Sequence, residues 1–150
     1  MQITRRLEFD AGHRIPNHAS LCRHLHGHRY AIEVTLSGPL VADPSSPEQG
    51  MVADFSRIKA IAKTLVDRWD HAFLVYVGDT AVRTFLDSLP EHRTVVFNQP
   101  PTAEHLAASA YAELAEAYAS EFGSQLRLER VRLFETPNCW ADAGPDCARG

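Results

Sequence analysis

The stretch from residue 22 to residue 28 reads Cys22-Arg23-His24-Leu25-His26-Gly27-His28 and holds three of the eight histidines of the chain. His26 and His28 are two positions apart, so an extended strand projects both imidazoles from one face. The same parity continues with the apolar residues Tyr30, Ile32, Val34 and Leu36. This pattern predicts two metal ligands at the end of a buried strand face, although the spacing alone also fits two ordinary surface or core histidines.

A third histidine lies on a matching strand. Residues 2–13 alternate, and His13 shares its parity with Leu7 and Phe9, whereas Glu8 and Asp10 take the other face. If this strand pairs with the one that begins near residue 28, three imidazoles converge at the ends of two neighbouring strands. Three neutral nitrogens with one open position are typical of a catalytic zinc site. Two further histidines in the intervening loop, His18 and His24, are expected to be spare.

Length and composition exclude several classes of protein. At 150 residues we expect a single domain spanning 1–150, with an ordinary apolar content of 45% and no stretch long enough for a membrane span. A net charge of −4 without a basic run argues against nucleic acid as a partner. The first residues lack a signal-peptide pattern, so a cytoplasmic protein is expected. An odd set of three cysteines favours a metal or catalytic role over a disulfide framework.

The rest of the chain predicts an α+β domain. Residues 51–53 suggest a short returning strand, and Asp54 or Ser56 caps a helix that runs through about Trp69. Thr102 caps a second helix that closes at Gly123. Residues 126–135 form a last strand with a bulge near residues 129–130, where the parity of its apolar residues changes. Strands followed by helices indicate an antiparallel sheet with the helices on one face.

Two regions are less informative. Between residues 74 and 100 the pattern predicts only a short strand from Thr94 to Phe97, and we interpret the region as a lobe specific to this protein. The tail from 137 to 150 contains Cys139, Trp140 and Cys147 and is expected to be irregular.

Three acidic or acid–base positions are candidates for the site, each with a structural alternative. Asp70-His71 follows the first helix, where such a dipeptide also occurs by chance. Glu104 lies in the first turn of the second helix, where the helix dipole alone favours a carboxylate. Glu135 ends the apolar face of the last strand and needs a partner to offset its desolvation, for which a ligand is a candidate.

Five motifs occur in a fixed order along the chain: Phe9-Asp10-Ala11-Gly12-His13, Cys22-x-x-x-His26-Gly27-His28, Asp70-His71, Pro101-Thr102-x-Glu104 and Glu135-Thr136. This set resembles the 6-pyruvoyltetrahydropterin synthase family, and within it most closely the bacterial 6-carboxytetrahydropterin synthases of the queuosine and deazapurine pathway. The resemblance covers roughly residues 3–136.

The resemblance implies a role for each matching residue. The metal ligands for Zn²⁺ would be His13, His26 and His28. Cys22 would be the catalytic base, with Asp70 and His71 as its proton-handling partners. The resemblance further implies that Glu135 anchors the pterin ring and that Thr102 and Glu104 line the pterin pocket.

The resemblance also implies a fold and an activity. The family has the tunnelling fold, a four-stranded antiparallel sheet with two helices on one face, assembled as trimers or dimers of trimers with active sites between subunits. The implied substrate is 7,8-dihydroneopterin triphosphate, and the implied enzyme is a zinc-dependent lyase that releases triphosphate and acetaldehyde. The Asp43–Gly50 loop, the span from His71 to Thr102 and the cysteine-bearing tail depart from compact members of the family.

Alternatives remain open at this point. The pyruvoyl-forming activity of the same family keeps all three side-chain carbons, and a zinc-bearing pterin-binding module would have no turnover. Cys22 could instead be a fourth zinc ligand that closes a structural site, because its spacing from His26 also fits that role.

Overall fold

The computed structural model describes residues 1–147. Within them the chain forms one six-stranded sheet and three α helices. The strands are β1 (Gln2–His13), β2 (His26–Ser37), β3 (Ala72–Tyr76), β4 (Thr94–Phe97), β5 (Arg127–Thr136) and β6 (Cys139–Ala143). The helices are α1 (Phe55–Trp69), α2 (Thr80–Asp87) and α3 (Ala103–Phe122). Across the sheet the strands lie in the order β4-β3-β1-β2-β5-β6.

The long hairpin of β1 and β2 positions the site. Its antiparallel register runs from Gln2 opposite Ser37 to His13 opposite His26. Both ligand-bearing strand ends therefore lie side by side, as the alternation of the two segments predicted. Gly27 is required here, because a Cβ at this position would lie 2.9 Å from the carbonyl oxygen of Ala11.

Helices α1 and α3 cover one face of the sheet. Asp54 caps α1 by accepting a hydrogen bond from the Ser56 backbone N–H at 2.7 Å, and Thr102 caps α3 by accepting one from His105 at 3.3 Å. A residue with φ of +58°, Gly123, ends α3. One core joins both helices to the alternate residues of β1, β2 and β5. The predicted bounds of both helices are confirmed.

The predicted bulge is also present. Along β2 and β5, Thr35 pairs with Arg130 and Leu36 pairs with Leu128, so Glu129 is the extra residue. This shift keeps Leu128, Val131 and Leu133 on the core face despite their uneven spacing.

The prediction of a four-stranded antiparallel sheet with two helices on one face is wrong in its details, although the α+β class is confirmed. Strand β3 pairs in parallel with the end of β1, and β4 pairs in parallel with β3. Because successive residues of a strand face opposite sides, Leu74 joins the main core while Phe73 and Val75 pack with α2. Helix α2 therefore lies on the face opposite α1 and α3, and the region 74–100 is an extension of the sheet.

Two smaller predictions also fail. Residues 51–53 form no strand, because the backbone of Met51 bonds to the loop residues Val41 and Glu48 while Val52 and Ala53 are buried. The tail is not irregular throughout, because β6 pairs antiparallel with β5; residues 148–150 lie outside the described part of the chain. Among residues 1–147, no helix has both the length and the apolar character needed to cross a bilayer.

Candidate metal centre and adjoining pocket

The three histidines predicted as ligands lie together at one end of the β1–β2 hairpin. His13 ends β1, and His26 and His28 begin β2. One ring nitrogen of each lies within 4.8 Å of the other two. The ring centroids are 4.5 to 5.1 Å apart. The structure thus brings together three imidazoles that are separated by up to 15 residues in the sequence.

Backbone carbonyls fix the orientation of two of these rings. The Nδ1 of His13 donates to the carbonyl oxygen of Pro101 at 2.8 Å, and the Nδ1 of His26 donates to that of His24 at 2.7 Å. A neutral imidazole that donates through Nδ1 carries a lone pair on Nε2. The Nε2 atoms of His13 and His26 therefore face each other as two acceptors, 3.1 Å apart. The Nε2 of His28 is buried and has no hydrogen-bond partner in the described structure.

Burial favours the neutral form of two of these histidines, His13 and His28. It lowers the pKa of the fully buried His13 from 6.5 to about 4, against the opposing effect of the Pro101 hydrogen bond, and the neighbouring His26 and His28 lower it further. The pKa of His28 is also lowered, mainly by burial, although the carboxylate of Glu135 acts in the opposite direction. Neutral imidazole is the form that binds a metal ion.

Glu135 adds a carboxylate to this cluster from β5. Its Oε1 lies 3.5 Å from the Nε2 of His13 and 3.9 Å from that of His28. The site thus combines three imidazoles with one carboxylate, all of them groups that can donate an electron pair to a metal ion. Such a group is stabilised by a cation, and the donor set fits zinc, which prefers imidazole and carboxylate ligands. The triad could hold this ion; Cys22 is not a member of the triad cluster.

A pocket of about 310 Å³ adjoins Glu135. Four of the predicted site residues line it, namely Cys22, Thr102, Glu104 and Glu135. Cys22 lies in a 3₁₀ turn, Leu21–Arg23, and its carbonyl accepts a hydrogen bond at 2.8 Å from the backbone N–H of Ile15, which also lines the pocket. A half-buried free thiol and a carboxylate near the metal centre therefore face one cavity.

Thr102 and Glu104 also stabilise the start of α3. The pKa of Glu104 is lowered first by a hydrogen bond from its own backbone N–H and then by one from the Thr102 hydroxyl. These contacts support the structural explanation of a carboxylate in the first turn. Both residues nevertheless line the pocket, so the two roles are compatible.

Comparison with known proteins agrees with this arrangement. Residues 2–146 match the family model described as 6-pyruvoyl tetrahydropterin synthase. The chain belongs to this family. A relative in Rickettsia bellii, named 6-carboxy-5,6,7,8-tetrahydropterin synthase, is 38% identical over 144 residues, which cover 95% of this chain and 99% of that protein. The resemblance inferred from the five motifs is therefore confirmed.

Solved structures of low sequence identity share the fold of this family member. An uncharacterized protein of Wolinella succinogenes superimposes with a TM-score of 0.74 at 24% identity, covering 97% of this chain and 98% of that one. The 6-pyruvoyl tetrahydropterin synthase of Plasmodium falciparum gives a TM-score of 0.72 at 19% identity, with coverage of 95% and 96%. The additional strands and helix are thus compatible with the architecture of tetrahydropterin synthase enzymes.

Asp70 and His71 lie away from the pocket in this family member. The backbone N–H of His71 donates to the carbonyl of Asp10 in β1 at 2.7 Å. Asp10 lies three residues before His13, which is about 10 Å along the strand. The Nδ1 of His71 lies 2.9 Å from the carboxylate of Asp70, and its side chain is 72% exposed. Within residues 1–147, neither residue has a hydrogen bond or ion pair with Cys22 or the histidine triad. The structure thus places the Asp70 and His71 side chains in contact with each other but does not bring them to the pocket of the same chain.

His71 is also unusual in its backbone, with φ of +55°. A left-handed conformation is uncommon for a residue other than glycine, and such strain concentrates at functional positions. The exposed imidazole lies immediately before β3.

Sequence reasoning missed some features of the site. Tyr30 is fully buried between Phe9 and His28, and its hydroxyl has no partner in the described structure. Cys139 and Trp140 of β6 line the pocket, although the tail was expected to be irregular. The parity of Tyr30 with His28 was a usable signal for the first; nothing in the sequence pattern identified β6.

Proposed function

We propose that this chain is a zinc-dependent 6-carboxy-5,6,7,8-tetrahydropterin synthase that acts on 7,8-dihydroneopterin triphosphate and releases triphosphate and acetaldehyde. The observation that carries the proposal is the convergence of His13, His26 and His28 beside a pocket that also contains Cys22 and Glu135. The name of the Rickettsia relative supports the carboxy-forming outcome. The place of this reaction in queuosine and 7-deazapurine synthesis, in the cytoplasm, is part of the proposal and rests on the motif resemblance alone.

Metal binding, proton abstraction and orientation of the pterin ring are assigned to different residues. His13, His26 and His28 would hold zinc, which when bound supplies a Lewis acid that acidifies the side-chain hydroxyls of the substrate. Cys22 takes a proton from the substrate side chain; a thiol is suited to this task because its ordinary pKa of about 8.5 is close to neutral pH. Glu135 orients the pterin ring by accepting hydrogen bonds from its amino and imino groups.

Asp70 and His71 return a proton in this proposal, and a neighbouring subunit supplies them. The exposure of both side chains supports this assignment, because a dyad that is exposed to solvent in one chain is accessible to a second. Orientation by the Asp70 carboxylate keeps one His71 nitrogen available for proton transfer.

The sheet offers an edge for such an assembly. Strand β3 pairs with β1 only at residues 11–13, and Asp10 bonds to Asp70 and His71, so residues 2–9 of β1 keep one backbone edge without a partner strand in the described chain. An open edge of this length favours pairing with another chain. We therefore propose a homo-oligomer, either a trimer or a dimer of trimers.

One assay tests the proposed activity. The zinc-loaded protein is incubated with 7,8-dihydroneopterin triphosphate, and the pterin product and acetaldehyde are identified by mass spectrometry. We expect 6-carboxytetrahydropterin and acetaldehyde in equal amounts. A pyruvoyl product without acetaldehyde would assign the other activity of the family, and binding without any turnover would leave a pterin-binding module.

A further inference from the structure

A second and larger pocket lies against the β1–β2 loop. It has a volume of about 590 Å³ and is lined by Arg14, Asn17, His18, Ala19, Arg23 and His24. The lining contains two arginines and two histidines but no carboxylate. This basic pocket is not explained by metal binding or by the role of Cys22.

A buried carboxylate holds Arg14 in place. The guanidinium donates from Nε and Nη2 to the two carboxylate oxygens of Asp79 at 2.5 and 2.6 Å. Only 3% of the Asp79 side chain is exposed, and this residue also caps α2. The Nη1 group of Arg14 has no acceptor among residues 1–147. Arg14 therefore presents remaining donors in a fixed orientation.

Arg23 supplies the charge that is not neutralised. It is exposed in the 3₁₀ turn next to Cys22, and in the described part of the chain it has no ion pair. Asp79 compensates the charge of Arg14, so Arg23 leaves the lining with a net positive charge. One fixed and one free guanidinium suit a group with many anionic oxygens, such as a chain of phosphates.

The position of the basic pocket connects it to the candidate active site. Arg14 directly follows the ligand His13, and the carbonyl of His24 holds the ring of the ligand His26. His18 lines both the basic pocket and the pocket that contains Cys22. A single molecule with a ring at one end and an anionic group at the other could thus occupy both.

We propose that the basic pocket binds the triphosphate group of the substrate, with Arg23 and Arg14 as its main donors. This proposal rests on the proposed function for the identity of the substrate. It adds a specificity determinant: the triphosphate anchors the substrate on one side of the β1–β2 loop while the pterin ring occupies the other.

Inorganic tripolyphosphate is the probe for this site. Its binding to the full-length protein is measured by calorimetry for the unmodified chain and for Arg23→Ala. We expect a loss of affinity of roughly 10- to 100-fold in Arg23→Ala, as for removal of a charged hydrogen-bond donor. Arg29→Ala is the matched control, because Arg29 is exposed and paired with Glu8 on β1. An absence of binding to the unmodified protein, or equal losses in both variants, would overturn the proposal.

Kinetics with the triphosphate substrate provide the second readout. Arg23→Ala is expected to raise KM roughly 10-fold or more with little change in kcat, and to leave the affinity for 7,8-dihydroneopterin, which lacks phosphate, unchanged.

Unchanged KM in an active enzyme would exclude the basic pocket as the triphosphate site but leave the proposed function intact. Conversely, specific binding of tripolyphosphate through Arg23 in a protein without synthase activity would retain the anion site and reject the proposed function. Arg14 is less suitable for substitution, because its loss would leave the buried Asp79 unpaired.

Discussion

The Nε2 atoms of His13 and His26 lie 3.1 Å apart, while the Nδ1 atom of each ring donates to a backbone carbonyl. When both rings are neutral, neither Nε2 carries a proton, so two lone pairs face each other. The Oε1 of Glu135, 3.5 Å from the His13 nitrogen, adds a third acceptor. The polypeptide therefore holds together groups that a cation stabilises, before any ion binds.

Removal of one imidazole should abolish stoichiometric metal binding. We expect His26→Ala to lose most of its zinc, because two of the three nitrogen ligands cannot form the same site. Elemental analysis of the purified variant measures this. His92→Ala is the control, since His92 lies outside the cluster and bonds to Thr94. Full zinc content in His26→Ala would rule out the triad as the metal site.

The metal-free protein should lose stability in mild acid. Folded His13 stays neutral down to a pKa of about 4, whereas in the unfolded chain it takes up a proton near pH 6.5. The unfolded state binds more protons between these values, so the free energy of unfolding falls as the pH is lowered through this window. The expected decrease is about 2 kcal/mol between pH 7 and pH 5.

Urea unfolding at several pH values measures this decrease. His28, whose pKa is also lowered, contributes in the same direction. In His13→Gln the dependence on pH should be weaker. An identical slope in that variant would show that other groups are responsible.

Cys22→Ala separates a catalytic base from a metal ligand. If Cys22 is the base, the variant keeps zinc and binds the pterin, while turnover falls by roughly 10² to 10⁴. If it closes a structural site, zinc content and melting temperature fall together. Zinc content, melting temperature and single-turnover rate are therefore measured on one sample. Near-normal turnover would exclude Cys22 as the base, and Cys147→Ser serves as the control for loss of an exposed thiol.

Glu135→Gln should weaken substrate binding more than metal binding. In the proposed function the Glu135 carboxylate accepts hydrogen bonds from the pterin ring, and the change removes its charge but preserves the shape of the side chain. Calorimetry with a pterin and elemental analysis for zinc measure the two effects. Unchanged pterin affinity would limit Glu135 to its electrostatic contact with His13 and His28.

Two buried tyrosines should respond in opposite ways to loss of their hydroxyls. The hydroxyl of Tyr30 has no partner in the described structure, whereas that of Tyr118 donates to the carbonyl of Ile58 at 2.9 Å. We expect Tyr30→Phe to raise the free energy of unfolding by about 1 kcal/mol and Tyr118→Phe to lower it by a similar amount. Urea unfolding of the metal-free protein measures both. A loss of stability in Tyr30→Phe would show that the hydroxyl has a partner.

The sequence predicted the triad because strand alternation determines which side chains share a face. His13 follows Leu7 and Phe9 in parity, and the hairpin register then places His13 beside His26. The ends of the helices could also be predicted, because Asp54, Thr102 and Gly123 are residue types that cap the ends of helices.

The missed strands lack such a signal. Strand β3 is apolar on both faces, since Leu74 packs in the main core and Val75 packs against α2, so alternation is absent. Strand β6 presents the small Ala141 and Ala143 to the core and gives no apolar run. Pairing between polar residues that are far apart in the sequence leaves no local pattern either, as for Arg14 and Asp79, which are 65 positions apart.

The contact between His13 and Pro101 joins positions 88 residues apart, and its acceptor belongs to the main chain. A side-chain substitution at position 101 leaves that carbonyl oxygen in place, so the orientation of His13 tolerates changes in composition there. It depends instead on the number of residues between Phe97, which ends β4, and Ala103, which begins α3. A single deletion in this connection would shift the carbonyl and turn the imidazole away from its neighbours. The arrangement of the histidine triad thus constrains the length of a distant loop far more strongly than the identity of its residues.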